Sequence, residues 1–330
     1  LSLDECRRLA RENYPEIRQY DLVHQTEQYN LSNAARAWIP QIAFSAQATW
    51  QTDAPNFPKE LTGMLAQQGL EIPGLRKDQY KVALELNQTI WDGGKSVADK
   101  RIARAEAAEQ KTMTDVDLYE LEGRVDDLYF GILLLDERIA QTNLTLNLLR
   151  SNLEKVRALQ RNGVAMQSDA DVLEAELLSV GQQLIQFESS CDSYRRMLGI
   201  FIGQKVGDRK LQRPSAVQPL SGESARPELA MFAAKIDRLT AQEKMVKSSS
   251  MPRLGFFAQG YYGYPGLDYM QSMMNSDWSW NAMLGVKLSW NFGAYYTQKN
   301  NLNKLRISRQ QVEVQRDVFL FNMNLQAAQE

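Results

Sequence analysis

The sequence predicts a mainly α chain that also carries four strands of a membrane β-barrel. Three observations lead there. The stretch WIPQIAFSAQATW at 38–50 alternates small or apolar residues (Trp38, Ile42, Phe44, Ala46, Ala48, Trp50) with mostly polar ones (Gln41, Ser45, Gln47, Thr49), the period of a half-buried strand. A helix–strand–loop–strand–helix pattern occurs twice along the chain. Long proline-free segments carry apolar residues at alternating spacings of three and four, which marks coiled-coil helices.

Composition narrows the alternatives. The 330 residues are 44% hydrophobic with a net charge of −2, so no basic surplus points to nucleic acid. The longest unbroken apolar run, Leu229–Ala234, falls far short of the roughly 20 residues that a membrane helix needs. A helical membrane protein is excluded on that ground. A barrel is not, because alternating strands leave little hydropathy signal.

The duplication fixes the order of elements. Pro15-Glu16-Ile17 recurs as Pro227-Glu228-Leu229, and Pro40-Gln41-Ile42-Ala43-Phe44 as Pro252-Arg253-Leu254-Gly255-Phe256, both 212 residues on. Each Pro-to-Pro interval reads as a helix, over 15–37 and 227–248, with proline in the first turn where its missing N–H costs nothing. Strands follow at 40–51 and 252–262, then long loops, then strands at 79–91 and 281–292. In the second strand Tyr80, Val82, Leu84, Leu86 and Ile90 share one face, while Lys81, Glu85, Asn87 and Thr89 share the other. The fourth sets Ala282, Leu284, Val286, Leu288, Trp290 and Phe292 against Lys287, Ser289 and Asn291. The third keeps Leu254, Phe256, Ala258, Gly260 and Tyr262 together. The first repeat therefore covers 1–203, a Pro- and Ser-bearing connector 204–226, and the second repeat 227–330.

After the turn Asp92-Gly93-Gly94, a helical pattern runs from Lys95 to Arg161, on the order of 100 Å at 1.5 Å per residue. Its seam is Leu118, Leu121, Val125, Leu128, Ile132, Leu135, Ile139, Thr142, Leu146, Leu149, Leu153 and Val156. Gly163 suits the left-handed residue that ends a helix, and Ser168 with Asp171 reads as a capping box opening the next. The returning seam holds Leu173, Leu177, Val180, Leu184, Phe187, Cys191, Tyr194, Leu198 and Phe201. The segment 95–202 is thus expected to be an antiparallel hairpin with its tip at 162–168. The second long helix starts near Tyr295 and still runs at Glu330, so a second tip and return arm are expected beyond it.

Four apolar strand faces need cover, and long helices leave strands end-on. Lipid supplies that cover, since a transmembrane strand takes about 9–11 residues and a closed barrel has no unpaired edge. Trp50, Tyr80, Tyr261, Tyr262 and Trp280 cluster at the loop end of the strands, and Trp38, Trp91, Trp290 and Phe292 at the helix end, as two interfacial belts would. The lipid-facing set is Ile42, Phe44, Trp50, Val82, Leu84, Leu86, Leu254, Phe256, Leu284, Val286 and Leu288; Gln41, Ser45, Gln47, Thr49, Lys81, Glu85, Asn87 and Lys287 face a wet lumen. Four strands cannot close a barrel, for which about eight is the minimum, so the chain must oligomerise.

The opening LSLDECRRLARENYPEIR, the strand starts WIPQIAFS and SMPRLGFF, the turn QTIWDGGK and the tip NGVAMQSDADVLEAEL together resemble the TolC-like family of bacterial outer-membrane efflux proteins. The resemblance covers essentially the whole chain. It implies a trimer with a 12-stranded barrel above a helical periplasmic tunnel, docked on a periplasmic adaptor and an inner-membrane pump, exporting small toxic compounds or a secreted polypeptide. It places the adaptor-contacting tip on Gly163, Val164, Ser168, Asp171, Leu173 and Ala175, and the family's gate on the second hairpin, beyond Glu330. The competing reading is a periplasmic or surface coiled-coil rod with no channel.

Catalysis and cofactors have no support. His24 is the single histidine, so neither a zinc cluster nor a Ser-His-Asp set can be drawn. Asp126-Asp127 and Asp136-Glu137 are adjacent on a helix and point apart, which reads as a solvated face. Gly260, Gly263 and Gly266 lack the strand–loop–helix setting of a phosphate loop. Cys6 and Cys191 lie far apart without metal-ligand spacing; Cys191, on the seam, reads as a small buried apolar residue.

Overall fold

The computed structural model describes residues 1–69, 73–214 and 226–329. The elements run α1 Leu3–Asn13, a 3-10 turn Pro15–Arg18, α2 Gln19–Arg36, β1 Gln41–Trp50, α3 Lys59–Gln67, β2 Asp78–Trp91, α4 Lys95–Arg161 and α5 Gln167–Ile202. Then follow α6 Pro227–Ser249, β3 Arg253–Tyr264, α7 Tyr269–Met274, β4 Ser279–Ser289 and α8 Ala294–Gln329. They fall into two compact units, one of 1–24 with 108–233 and one of 25–107 with 234–330. The expected helix over 15–37 opens instead as the 3-10 turn, the tighter winding common at helix starts, and α2 begins only at Gln19. Residues 215–225 of the expected connector lie outside the described residues.

The first unit is helical. Its core holds Leu118, Leu121, Val125, Tyr129 and Ile132 of α4, Cys191, Leu198 and Ile202 of α5, and Cys6 and Ala10 of α1. Helix α1 starts at an N-cap, Ser2, whose hydroxyl accepts from the Glu5 N–H at 3.2 Å. It is clamped to α4 by Arg7, which donates through Nε and Nη2 to both oxygens of Asp126 at 2.7 and 2.5 Å. Asn13, at the end of α1, donates from Nδ2 to the Ile200 and Phe201 carbonyls, satisfying acceptors that the last turn of α5 leaves open.

One member of each acidic pair read as a solvated face proves to be a packing anchor, while Asp127 is exposed and Glu137 stays in an exposed ion pair. Asp126 holds α1. Asp136 accepts bidentately from Arg195 Nη2 at 3.0 and 2.8 Å, and Arg195 also donates to the Gly207 and Arg209 carbonyls. Glu137 pairs with Arg213. Cys191 is buried but not merely apolar, since its Sγ lies 3.3 Å from Arg195 Nε and 3.4 Å from Asp136 Oδ1. Burial pushes its thiol above the ordinary cysteine value, and the Arg195 contact only partly opposes that. Where α4 passes α5, Gly131 faces the Tyr194 ring so closely that a Cβ would lie 2.6 Å from it.

The second unit contains one antiparallel sheet in the order β1-β2-β3-β4. The pairs Phe44↔Leu84, Leu84↔Gly260 and Ala258↔Leu284 fix its register, and a bulge between Thr89 and Trp91 irregularises the helix end of β2. The turn into α4 uses Gly93 at φ 69°, where a Cβ would also meet that of Met251 at 2.6 Å. Asp92 closes it, accepting from the N–H of Gly94 at 2.9 Å, the N–H of Ser96 at 2.7 Å and the Ser96 hydroxyl. Burial works to raise the Asp92 carboxyl, yet the bonds from Ser96 and Gly94 hold it below its ordinary value. The loops carry the short helices α3 and α7, absent from the sequence expectation, and Ala54, Leu75 and Tyr264 with Met273 form a small core there.

Candidate functional site

Residues directly opposite each other in an antiparallel ladder share a face, so register alone sorts the strand side chains. The first face collects Ile42, Phe44 and Trp50 of β1, Val82, Leu84 and Leu86 of β2, Leu254 and Phe256 of β3, and Leu284, Val286 and Leu288 of β4. Phe44 is 72% exposed and Leu284 75%. Leaving a large apolar side chain in water forgoes about 1.5–3 kcal/mol. With Ile42, Leu84, Val286 and Leu288 also exposed, the total is comparable with the whole stability of a domain, about 5–15 kcal/mol. This face is shaped for an apolar medium.

The second face collects Gln41, Ser45, Gln47 and Thr49, then Lys81, Glu85 and Asn87, then Lys287. Gln259 joins it from β3 and ties β2 to β3, accepting from Lys81 Nζ at 2.9 Å and donating to Glu85. Lys81 also sits over the Tyr261 ring, 4.5 Å from its centroid. Tyr261 therefore belongs to the polar face and is buried there, not in the loop-end belt with Tyr262, because consecutive strand residues point to opposite faces. Near the helix end this face leads into a recess of about 370 Å³ whose polar lining is Gln41, Asn87, Asp92, Lys95, Arg253 and Lys287 beside the apolar Leu254 and Phe257.

The aromatic belt at the loop end has a member that sequence reading missed. Trp278, just before β4, stacks on Tyr80 at 5.7 Å between ring centroids and contacts Tyr262 at 5.3 Å. It lies outside every alternating run, so periodicity gave no sign of it. At the helix end Trp290 and Phe292 pack at 4.7 Å, and the Trp290 indole donates to the Ser250 carbonyl at 3.0 Å.

The tip lies between α4 and α5. Gly163, at φ 71°, turns the chain, with its N–H on the Gln160 carbonyl and the Val164 N–H on the Leu159 carbonyl, each at 2.9 Å. The N-cap of α5 is Met166 rather than Ser168, since the helix begins two residues earlier than expected; Asp169, not Asp171, accepts from the Met166 N–H at 2.9 Å. Asp171 instead accepts from Gln167 Nε2 at 2.7 Å. Gly163, Val164, Ser168, Asp171 and Ala175 are exposed and Leu173 half-buried. Arg157 and Glu174 bridge the two arms just behind the tip at 2.9 Å.

Among the described residues no group of His, Cys, Asp and Glu side chains is placed to hold a metal ion, and no helix is long and apolar enough to cross a membrane. A sheet apolar on one face and polar on the other, joined to long paired helices, defines one chain of an outer-membrane channel of helical-barrel and β-barrel type. The family model for outer membrane efflux proteins matches residues 7–203, and the chain belongs to that family. It is an outer-membrane channel protein with periplasmic helices, not an enzyme.

Solved structures share its fold. The outer membrane protein VceC from Vibrio cholerae is 14% identical with a TM-score of 0.69, covering 97% of this chain and 75% of its own. The outer membrane channel CmeC of Campylobacter jejuni is 15% identical at 0.67, covering 97% and 68%. The MtrE outer membrane channel of Neisseria gonorrhoeae is 14% identical at 0.60, covering 94% and 68%. No curated protein matches the sequence.

Proposed function

We propose that this chain is one third of a trimeric exit duct in the outer membrane. The duct passes small toxic compounds delivered by an inner-membrane pump through a periplasmic adaptor. The carrying observation is the four-stranded sheet, whose outer strands β1 and β4 each have one ladder partner and whose two faces differ in polarity. Three copies joined β4 to β1 give an even-numbered antiparallel ring that leaves no open edge, which a membrane requires. Ile42, Phe44, Trp50, Val82, Leu84, Leu86, Leu254, Phe256, Leu284, Val286 and Leu288 then meet lipid. Gln41, Ser45, Gln47, Thr49, Lys81, Glu85, Asn87 and Lys287 line the wet interior.

The exposed tip, Gly163, Val164, Ser168, Asp171, Leu173 and Ala175, is the adaptor-contacting surface in this reading, and 204–226 connects two copies of one structural unit. Nothing in the duct consumes energy; the pump supplies it. Full-length protein purified in detergent and reconstituted in planar bilayers is expected to run as a trimer and conduct ions. Strictly monomeric, non-conducting protein contradicts the reading.

A further inference from the structure

We infer that Arg253 and Lys287 form a cationic ring inside the barrel that favours anionic cargo. The inference rests on the trimeric duct reading, in which the polar sheet face lines the lumen. Register puts four formal charges on that face: Lys81, Glu85, Arg253 and Lys287. Lys81 and Glu85 offset one another through Gln259, which contacts both. Arg253 and Lys287 have no ion-pair partner among the described residues. They are diagonal neighbours: Arg253 pairs with Ser289, Gly255 with Lys287, and both side chains line the recess at the helix end of the sheet. Of the acids there, Asp99 is paired with Lys95 at 2.7 Å, while the Asp92 carboxylate is held by the neutral donors of Ser96 and Gly94 and keeps its charge. With Asp99 paired to Lys95 and Asp92 set against the two cations, the charged groups lining the recess sum to one positive charge per chain, and three chains contribute three.

Geometry makes such a ring effective. Twelve strands about 4.8 Å apart and tilted by about 40° enclose a ring on the order of 24 Å across, backbone to backbone. Lys and Arg side chains reach about 6 Å inward, which leaves the axis within roughly one Debye length, about 8 Å at physiological ionic strength. A passing ion feels the ring at that salt. At 1 M salt, where the Debye length is about 3 Å, it does not.

The test is the anion-to-cation permeability ratio of the full-length trimer in planar bilayers under a KCl gradient, measured near 50 mM and near 1 M. R253E/K287E is expected to lower that ratio at least two-fold at low salt and to leave it unchanged at high salt. R253Q/K287Q, which removes both charges but keeps polar side chains, should fall between. A ratio that moves with neither variant overturns the cationic ring while leaving the duct standing. A trimer that conducts nothing overturns the duct reading instead. The unmutated protein supplies a second arm: a ratio insensitive to salt also contradicts the ring.

Discussion

Phe44 on β1 and Leu84 on β2 stand directly opposite each other on one face of the sheet, and both are exposed, by 72% and 54%. A paired aromatic and aliphatic residue normally anchors a core. Here the pair sits on the outer surface of the unit, in line with Gly260 and Ala282 on the next two strands.

A charge on this face should be poorly tolerated. Leu84→Lys and Val286→Lys are each expected to destabilise the assembled barrel by about 2–4 kcal/mol, the cost of a lysine near the bilayer midplane. Lys81→Gln, three residues from Leu84 on the opposite face, should assemble normally. The yield of heat-resistant trimer in outer-membrane fractions measures the difference.

The Gly131–Tyr194 approach should show coupling. Gly131→Leu drives its side chain into the ring and is expected to cost about 1–3 kcal/mol, the usual range for overpacking. Tyr194→Ala in the same chain should recover part of that loss. A double-mutant cycle on thermal unfolding reads the interaction, and additive effects would show that the two helices have room to spare.

Tyr129 is fully buried, and its hydroxyl lies 2.8 Å from the Leu1 carbonyl and 2.6 Å from that of Gln212. Tyr129→Phe keeps the ring and should lose about 0.5–1.5 kcal/mol, whereas Tyr129→Ala should lose about 3–5 kcal/mol by opening a cavity. Denaturant unfolding of both variants separates the hydroxyl from the ring.

Asp92 gives the turn before α4 a defined pH dependence. Its carboxyl is held below the ordinary value by Ser96 and Gly94 despite the opposing effect of burial. Its contribution is therefore complete above the unfolded-state value, about 3.9, and is lost as the pH falls through the lower folded-state value. Asp92→Asn should cost about 1 kcal/mol at neutral pH, as lost caps do. The gap between variant and parent melting temperatures should close as the pH drops below about 4.

Val164→Asp tests the tip. Val164 is 74% exposed, and the bond from its N–H to the Leu159 carbonyl does not involve the side chain, so the fold should be unaffected. Adaptor binding, followed by pull-down or biolayer interferometry, should fall at least ten-fold. Unchanged binding would move the docking surface elsewhere.

Much of this was legible in the sequence, for a physical reason. Period-two alternation between Gln41 and Thr49, or between Lys81 and Asn87, survives because each face meets a different medium. The same alternation put every strand residue assigned to lipid or lumen on its own face once register was known. What escaped were features set by third partners. Tyr129 sits one position past the seam residue Leu128 and is buried because α1 and the 204–214 segment, not only α5, pack on α4. Asp126 and Asp136 read as surface acids because their partners, Arg7 and Arg195, lie 119 and 59 residues away. Trp278 lies outside every alternating run, and the polar role of Gln259 and Tyr261 on β3 emerges only from their cross-strand partners Lys81 and Glu85. The start of α5 was misplaced because Ser168 and Asp171 repeat, two residues on, the spacing that Met166 and Asp169 use.

The most direct test of the central claim is a cysteine scan of β1 from 41 to 49 in the reconstituted trimer, with the buried native Cys6 and Cys191 changed to serine. Probes attached at 42, 44, 46 and 48 should be quenched by a lipid-soluble reagent, and those at 41, 45, 47 and 49 by a water-soluble one. Uniform access to the aqueous quencher along the whole strand would contradict a lipid-facing wall around a wet duct.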